Sequence, residues 1–445
     1  MSQKSNRRTF LRRSAVGAAM AAASSPWGNS NPSEKPALMG GAPVRKAPFA
    51  SWPQIQGNDK AVWKDVLEKK GWCRLNGDYV NTFEKSFAQM LGASDCIATS
   101  SGTTALFSSL NALGVGPGDE VIVSPYTFVA SVNVILLQHA VPVFIDTDRM
   151  SFQIDAEKIE AAITERTKCI MPVHLGGYPA NMDKILAVAK KHNIPVLEDA
   201  CQAHLAEWRG VKVGAVGDLG CFSFQVTKNL SGGEGGAITG SNEDLMDRCF
   251  SFHSNGRERK NTYGFRYLHN GVNARMTEFQ GAVLTQQMTR IEQQSKRRSE
   301  NADYLTSLLG PIAGIHPAKL YDGVTQSAYH LYMLRYDPNQ FSGLSRDKFA
   351  SAMQKEGIPC STGYSPLNKE PFLKETLYTP GYQTIYGKDY IDKWFQNNQL
   401  PENDRLCEEA IWFLQFMLLG ERSDMEQIAE AILKIQNHSA ELNKA

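Results

Sequence analysis

The stretch "NMDKILAVAKKHNIPVLEDACQAH", residues 181–204, joins a helix pattern to a buried-strand pattern and decides the fold class. Residues 181–192 have apolar side chains at helical spacing, and an apolar run from 194 ends in Glu198 and Asp199. A continuous apolar strand after a helix is typical of a parallel sheet covered on both faces. Ligands of open α/β sheets bind at the carboxyl ends of strands, so the two acids are candidates for a site. They could equally cap the next helix.

The same alternation recurs along most of the chain. Further strand-like runs are "DCIATS" (95–100), "DEVIVSP" (119–125), "VPVFIDT" (141–147) and "KCIMPV" (168–173). Helix patterns include "DAEKIEAAITER" (155–166) and a long stretch at about 276–309. From about 315 the pattern changes to mixed strands and helices. We therefore predict an α/β fold in which a lead-in arm (31–58) precedes a large domain with a mostly parallel sheet (59–310) and a smaller C-terminal α+β domain (311–445).

The first 30 residues differ from the rest and resemble a signal peptide. Arg7 and Arg8 are followed by Phe10 and Leu11, and then by an alanine-rich run over 15–23 that is too short to span a bilayer. This order matches a twin-arginine export signal and predicts a periplasmic or exported protein. The alternative is a disordered basic tail on a cytoplasmic protein.

Composition excludes several classes of function. The net charge is +1 and no basic stripe is apparent, so nucleic-acid binding is not expected. The eight cysteines form no C-x-x-C pair and no cluster with zinc spacing, so neither a metal site nor a disulfide framework is predicted. No run in the mature chain is apolar enough for a membrane helix.

Two further stretches could carry chemistry. In "TSSGTTAL" (99–106) a strand turns into a helix, where free N–H groups favour an anion, although Ser and Thr there could simply cap the helix. In "GCFSFQVTKNLSGGEGGAITG" (220–240), Ser223 and Lys228 precede four clustered glycines. Alone, that stretch could be a surface loop with a solvated lysine.

Taken together, these stretches fit pyridoxal phosphate. That cofactor needs an anion cradle, a lysine for a covalent imine and a carboxylate for its pyridine nitrogen. An aromatic side chain to stack on its ring could be Phe128 or Tyr126 in "SPYTFVAS", unless both simply pack in the core. The sequence contains no Walker loop. It also lacks a G-x-G-x-x-G motif after the first strand, which a nicotinamide dehydrogenase needs.

The sequence resembles the DegT/DnrJ/EryC1/StrS aminotransferases, which have the type I fold of pyridoxal-phosphate enzymes. Seven motifs occur in the family's order from about Gly40 to the C-terminus. They are "SSGTTAL", "GDEVIVSPYTFVASVN", "PVFIDTD", "PVHLGGYPANMD", "VLEDACQAH", "GDLGCFSFQVTKNLSGGEGG" and "GVNARMTEFQGAVLTQQ". Each motif alone is weakly specific, but seven in order are highly specific.

The resemblance implies a role for several residues. Lys228 matches the Schiff-base lysine and Asp199 the carboxylate at the pyridine nitrogen. Gln202 matches the residue beside the phenolic oxygen, and Phe128 the aromatic that stacks on the ring. Cys201 replaces a common alanine.

Phosphate binding and subunit assembly are also implied by the resemblance. Gly102, Thr103 and Ser223 match the family's phosphate binders. Asn273 matches an asparagine that reaches the phosphate from the neighbouring subunit. A homodimer with a shared active site is therefore expected.

The resemblance implies amino transfer from glutamate or glutamine to a keto-sugar, usually nucleotide-linked, or to a keto-cyclitol. The lead-in "GGAPVRKAPFASWP" (40–53) resembles the branch that includes cyclitol aminotransferases. Sugar dehydratases of the family carry histidine in place of the lysine, so Lys228 favours transamination. A non-catalytic sensor that binds the cofactor is the other alternative, and Lys228 and Asp199 both count against it.

Overall fold

The computed structural model describes residues 34–259 and 266–444. The predicted signal peptide, 1–30, lies outside the described residues. Within them, no helix combines the length and the apolar character needed to cross a bilayer. No group of three or more His, Cys, Asp or Glu side chains suited to a metal ion occurs in the same part of the chain.

A seven-stranded sheet forms the centre of the fold. Its strands are β1 (Asp95–Thr99), β2 (Glu120–Val123), β3 (Val141–Phe144), β4 (Thr167–Met171), β5 (Leu197–Asp199), β6 (Leu219–Ser223) and β7 (Gly236–Gly240). The order is β3-β2-β4-β5-β6-β7-β1, and isolated parallel bridges join β4 and the residues after it to β5. Only β7 is antiparallel to its neighbours. This confirms the predicted α/β class with a mostly parallel sheet.

The described residues also contain the α-helices that surround the sheet and build the C-terminal part. They are α1 (Asp59–Lys69), α2 (Tyr79–Leu91), α3 (Gly102–Ala112), α4 (Ala130–Leu137), α5 (Met182–His192), α6 (Glu243–His253), α7 (Glu278–Leu309), α8 (Arg346–Lys355), α9 (Pro371–Leu377), α10 (Pro380–Tyr386), α11 (Lys388–Asn397), α12 (Pro401–Glu409), α13 (Arg422–Asn437) and α14 (Ser439–Lys444). The long helix predicted at about 276–309 is α7.

One predicted helix is wrong. The stretch 155–166 forms two 3-10 turns, Ala156–Lys158 and Glu160–Ala162, instead of an α-helix. Ile159 between them is fully buried, and Ile163 is already extended on the way to β4. Since the backbone must be extended from Ile163 onward to lead to β4, only a short helical segment remains, and short segments often adopt 3-10 turns.

The C-terminal part contains a second, antiparallel sheet. Its strands are β8 (Ile315–Pro317), β9 (Leu331–Tyr336) and β10 (Ala410–Leu414), with β9 in the centre. The helices between β9 and β10 pack an aromatic-rich cluster, which includes Tyr382 and Tyr386, against Val132 of the large sheet's helix layer. The division at residue 310 into a large and a small domain stays a prediction.

The lead-in arm is attached to the body of the protein rather than free. The buried carboxylate of Glu356 accepts hydrogen bonds from the backbone N–H groups of Ala37 (2.7 Å) and Val44 (2.9 Å). Further along the arm, the indole N–H of Trp52 donates to the carbonyl of Val226 at 2.9 Å. The arm therefore reaches the loop that contains the candidate lysine.

Strand direction brings the candidate site residues to one edge of the sheet. Because β1, β5 and β6 run parallel, their carboxyl ends at Thr99, Asp199 and Ser223 lie together. The antiparallel β7 starts at the same edge, where Gly236 is in register with both Thr99 and Ser223. Aromatic side chains pack below this edge. The ring of Phe87 lies edge-on to that of Phe222, with the ring centroids 5.1 Å apart.

Candidate active site

The carboxylate of Asp199 is buried at the end of β5 and has neutral hydrogen-bond partners. Its Oδ2 accepts a hydrogen bond from the Ser131 hydroxyl at 2.7 Å, and its Oδ1 accepts from the Cys201 backbone N–H at 3.2 Å. Ser131 in turn shares a hydrogen bond of 3.0 Å with the Thr127 hydroxyl. Since neither partner is a cation, the charge of Asp199 is available to a cationic N–H group of a ligand.

Glu198, the other acid of the pair, serves the interior of the fold. Successive strand residues face opposite sides of a sheet, and Glu198 is fully buried against His174, with Oε2 and Nε2 2.9 Å apart. Its Oε1 accepts from the N–H groups of Val216 (2.8 Å) and Gly217 (2.7 Å). The residues alone left both acids open as site or cap residues, the family resemblance selected Asp199, and the structure uses Glu198 in the interior.

The start of α3 combines a helix cap with free backbone donors. Ser101 is the N-cap, and its hydroxyl accepts from the Thr104 N–H at 3.1 Å, so the capping interpretation holds for that pair. The first-turn N–H groups of Gly102 and Thr103 have no acceptor within the helix. They leave an anion-binding position at the positive end of the helix dipole.

Three segments meet at Gly102 with no space for a side chain. A Cβ atom there would lie 2.7 Å from Cβ of Ser223 and 2.8 Å from Sγ of Cys201. Gly236 faces the same turn, since its Cβ would lie 2.3 Å from the Ser101 carbonyl oxygen. These glycines are therefore required for close packing of the segments, in addition to any role in the approach of a phosphate.

Lys228 lies in the loop between β6 and β7, and its neighbour fixes the loop to the protein. The Lys228 N–H donates to the Gln225 carbonyl at 2.9 Å. The buried side chain of Asn229 donates to the Ala328 carbonyl at 2.7 Å, and its Oδ1 lies 3.2 Å from Nδ1 of His330. The lysine is thus held on an anchored loop rather than on a free surface loop.

Burial lowers the pKa of the Lys228 amine and of two nearby imidazoles. Burial lowers the pKa of Lys228 below its ordinary value of 10.5, and the nearby Cys201 and Asp199 oppose this shift only in part. Burial, with help from Lys228, lowers the pKa of His204 to about 3 and that of His330 well below its usual range. Lys228 is therefore suited to act as a nucleophile or a base in this site.

Gln202 and the two candidate aromatics have different environments. Gln202 is buried, and its Oε1 accepts from the Gly176 N–H at 2.8 Å. Phe128 is 56% exposed and lies between Thr127 and Ser131, which connect to Asp199. Tyr126 is fully buried in an aromatic cluster. The structure thus leaves Phe128 free to stack on a ligand, and assigns Tyr126 to the core.

Asn273 is separate from this group in a single chain. It is exposed, and its backbone pairs with that of Ser254. The next residue, Ala274, accepts a hydrogen bond from the Ser100 N–H at 2.7 Å, so the segment runs beside the turn before α3. The predicted role of Asn273 in a partner's site stays a prediction.

Sequence reasoning missed Ser131, which holds Asp199, and Tyr364, whose hydroxyl lies 3.4 Å from Nε2 of Gln202. It also missed His330 and Asn229. A signal existed for Ser131, because "SPYTFVAS" places a hydroxyl three residues after Phe128 at a helix start. Tyr364 carries no local signal, since it is 162 residues away from its partner.

The chemical groups of this site fit pyridoxal phosphate. The site offers an amine with a lowered pKa, a buried carboxylate without a cationic hydrogen-bond partner, and a helix N-terminus walled by Gly102 and Ser223. These are the groups that the cofactor's aldehyde, pyridine nitrogen and phosphate require. Fold and site together define a pyridoxal-phosphate-dependent enzyme with the type I fold.

Comparison with known proteins gives the family. The model of the DegT/DnrJ/EryC1/StrS aminotransferase family matches residues 53–431, and the chain belongs to that family. The putative L-glutamine:3-amino-2,3-dideoxy-scyllo-inosose aminotransferase of Streptomyces kanamyceticus is 36% identical, over 93% of this chain and 100% of the relative. The L-glutamine:2-deoxy-scyllo-inosose aminotransferase of Streptomyces fradiae is 35% identical, over 91% and 98%.

Solved structures agree with this assignment. The crystal structure of 3-amino-5-hydroxybenzoic acid synthase is similar with a TM-score of 0.79 and 31% identity, over 88% of this chain and 99% of that one. The prediction of a type I aminotransferase is thereby confirmed. The protein is a pyridoxal-phosphate-dependent aminotransferase of this family.

The lowered pKa of Lys228 can be tested by amine labelling of the cofactor-free protein across a pH series, with peptide mass spectrometry. Because only the neutral amine reacts, Lys228 should reach half-maximal labelling below pH 10.5. Lys69 is the control, because its pKa is shifted in the opposite direction: its hydrogen bond to Asp65 raises that pKa above 10.5. Equal midpoints for the two lysines would contradict the assigned environment.

Proposed function

We propose that this chain binds pyridoxal phosphate through Lys228 and transfers the amino group of L-glutamine to a keto-cyclitol. The carrying observation is that the Lys228 amine, whose pKa is lowered by burial, interacts electrostatically with the carboxylate of Asp199 at the edge of the sheet where the Gly102 turn packs on Ser223. The donor and the acceptor class are supported by the relatives, whose names specify L-glutamine and scyllo-inososes. When bound, the cofactor supplies an electron sink for reaction at the donor's α-carbon.

Each site residue has a separate task in this proposal. Lys228 anchors the cofactor and, as a neutral amine, accepts and returns a proton at Nζ. Asp199, oriented by Ser131, retains a negative charge toward the pyridine nitrogen. The N–H groups of Gly102 and Thr103 bind the phosphate from the helix N-terminus.

Replacement of the lysine tests the core of the proposal. Lys228→Ala should abolish the visible absorbance of the bound cofactor and reduce turnover by roughly 10²–10⁴-fold or more, because anchor and base are lost together. Lys184→Ala, on the exposed face of α5, is the matched control and should leave both unchanged. A visible band that survives Lys228→Ala would contradict the assignment.

The wild-type protein also decides between substrates. Glutamine with 2-deoxy-scyllo-inosose should give faster turnover than glutamate or a nucleotide-linked keto-sugar. If the cofactor binds but no donor supports amino transfer, the sensor interpretation would replace this one.

We further propose a homodimer with a shared active site. Its support is an exposed aromatic surface near the start of α7, where Trp63 and Trp72 pack on Phe279 at 4.8 and 5.7 Å while remaining about half exposed. Exposed apolar patches of this kind mark interaction surfaces. The exposed Asn273 is then available to a neighbouring subunit.

Hybrid dimers test the shared site. Lys228→Ala and Asn273→Ala should each be poorly active as homodimers, because each removes one half of every site. If Asn273 acts in the partner's site, refolding a mixture of the two should restore about a quarter of wild-type activity, since each hybrid dimer contains one intact site. Activity no higher than that of the two unmixed variants would show that Asn273 does not serve the partner.

Export is proposed from the sequence of the first 30 residues. A keto-cyclitol carries no nucleotide, so an acceptor of this class does not require a cytoplasmic enzyme. Replacing Arg7 and Arg8 together by lysine should shift the protein from the periplasmic to the cytoplasmic fraction in uncleaved form. A wild-type protein that stays uncleaved in the cytoplasmic fraction would favour the cytoplasmic alternative, and a variant that is still exported would contradict the twin-arginine route.

A further inference from the structure

Tyr364 lies in the C-terminal part of the chain but reaches the residues of the cofactor site. Its backbone follows Ser361, which exchanges hydrogen bonds of 3.0 Å with Trp412 of β10. Its ring lies edge-on to Trp412 at 4.9 Å and to Tyr126 at 5.6 Å. The aromatic contacts therefore hold the ring in one place between the two sheets.

The amide of Gln202 has one orientation in this structure. The Gly176 N–H can donate only to the amide oxygen, so its bond to Oε1 at 2.8 Å directs Nε2 to the opposite side. There Nε2 lies 3.4 Å from the Tyr364 hydroxyl oxygen. Gly176 has a φ of +65°, and a Cβ atom there would lie 2.6 Å from Cε of Met333, so the donor's position depends on glycine.

The Tyr364 hydroxyl is suited to act as an acceptor for this amide. Burial raises the pKa of Tyr364 to about 12, so it remains protonated at neutral pH. A hydroxyl that accepts from Gln202 keeps its own proton to donate elsewhere in the site. The 3.4 Å separation is long, but hydrogen bonds of this kind often shorten when the ligand binds.

We propose that Tyr364 is a positioning residue of the cofactor site, which holds the Gln202 amide toward the bound cofactor from the opposite side of the site. The proposal rests on the proposed function only in taking pyridoxal phosphate as the bound group. It adds a contribution from the C-terminal part to a site otherwise built on the large sheet. The phenol acts through Gln202 and not directly on the reacting atoms.

Other charged or titratable groups interact electrostatically with residues of the site and stay constant in the test. They are Asp199, Cys201, His204, Lys228, His330 and Arg298. Tyr364→Phe changes none of them and keeps the aromatic ring. A spectral change in that variant therefore reports the hydroxyl group.

The experiment compares Tyr364→Phe with wild type in the holoenzyme, in two measurements that need no substrate. The dissociation constant for pyridoxal phosphate should rise about 3- to 10-fold, as expected for one hydrogen bond. The pH midpoint of the cofactor's visible absorbance should move up by roughly 0.5–1 unit, because a less well-held amide stabilises negative charge on the phenolic oxygen less. Unchanged values in both measurements would overturn the proposal.

Two further variants separate this role from general packing. Tyr390→Phe is the matched control, since its partly buried hydroxyl donates to Glu120 at 2.6 Å at the amino end of β2, away from the site. It should move neither value. In a Gln202→Ala background the effect of Tyr364→Phe should vanish, and an effect of the same size there would show that Tyr364 does not act through Gln202. Absence of turnover with every acceptor would contradict the proposed function and leave these measurements interpretable.

Discussion

The close approach of three backbone segments at Gly102 is the constraint on which the site depends. The end of β6, the turn after β5 and the start of α3 meet where a single Cβ atom would collide with Ser223 and Cys201. This contact places the helix N-terminus, with its free N–H groups, beside the strand that carries Asp199. The antiparallel β7 is inserted between β1 and β6 and supports the same turn through Gly236. The anion cradle is therefore a consequence of sheet order.

Burial then sets the chemistry at this edge. The lysine is held on an anchored loop in surroundings that favour its neutral form, and the two nearby histidines are neutral for the same reason. Asp199 receives hydrogen bonds from a hydroxyl and a backbone N–H, neither of which neutralises it. An amine with a lowered pKa and a buried carboxylate without a cationic hydrogen-bond partner therefore belong to the same site. This combination suits a cofactor that needs both.

Residues distant in sequence complete the site. The lead-in arm contacts the lysine loop through Trp52, and the C-terminal part contributes Tyr364 next to Gln202. Both contacts connect segments more than 150 residues apart along the chain. A site assembled from the arm, the large sheet and the C-terminal part can respond to movements of any of them.

The sequence by itself determined the family and the mostly parallel sheet, and it predicted that Lys228, Asp199 and Gly102 belong to one site. These features depend on local patterns: apolar strands, a strand-to-helix turn, and motifs in a fixed order. It also predicted a helix over 155–166 that is absent, because the extended backbone at Ile163 that leads to β4 is set by the tertiary structure. The family resemblance had already selected Asp199 and Phe128, but only the tertiary structure showed that Glu198 and Tyr126 are used in the interior, that Ser131 holds Asp199, and that Tyr364 lies beside Gln202. Those choices depend on which side of a strand faces which neighbour, and on contacts between distant segments that no local pattern encodes.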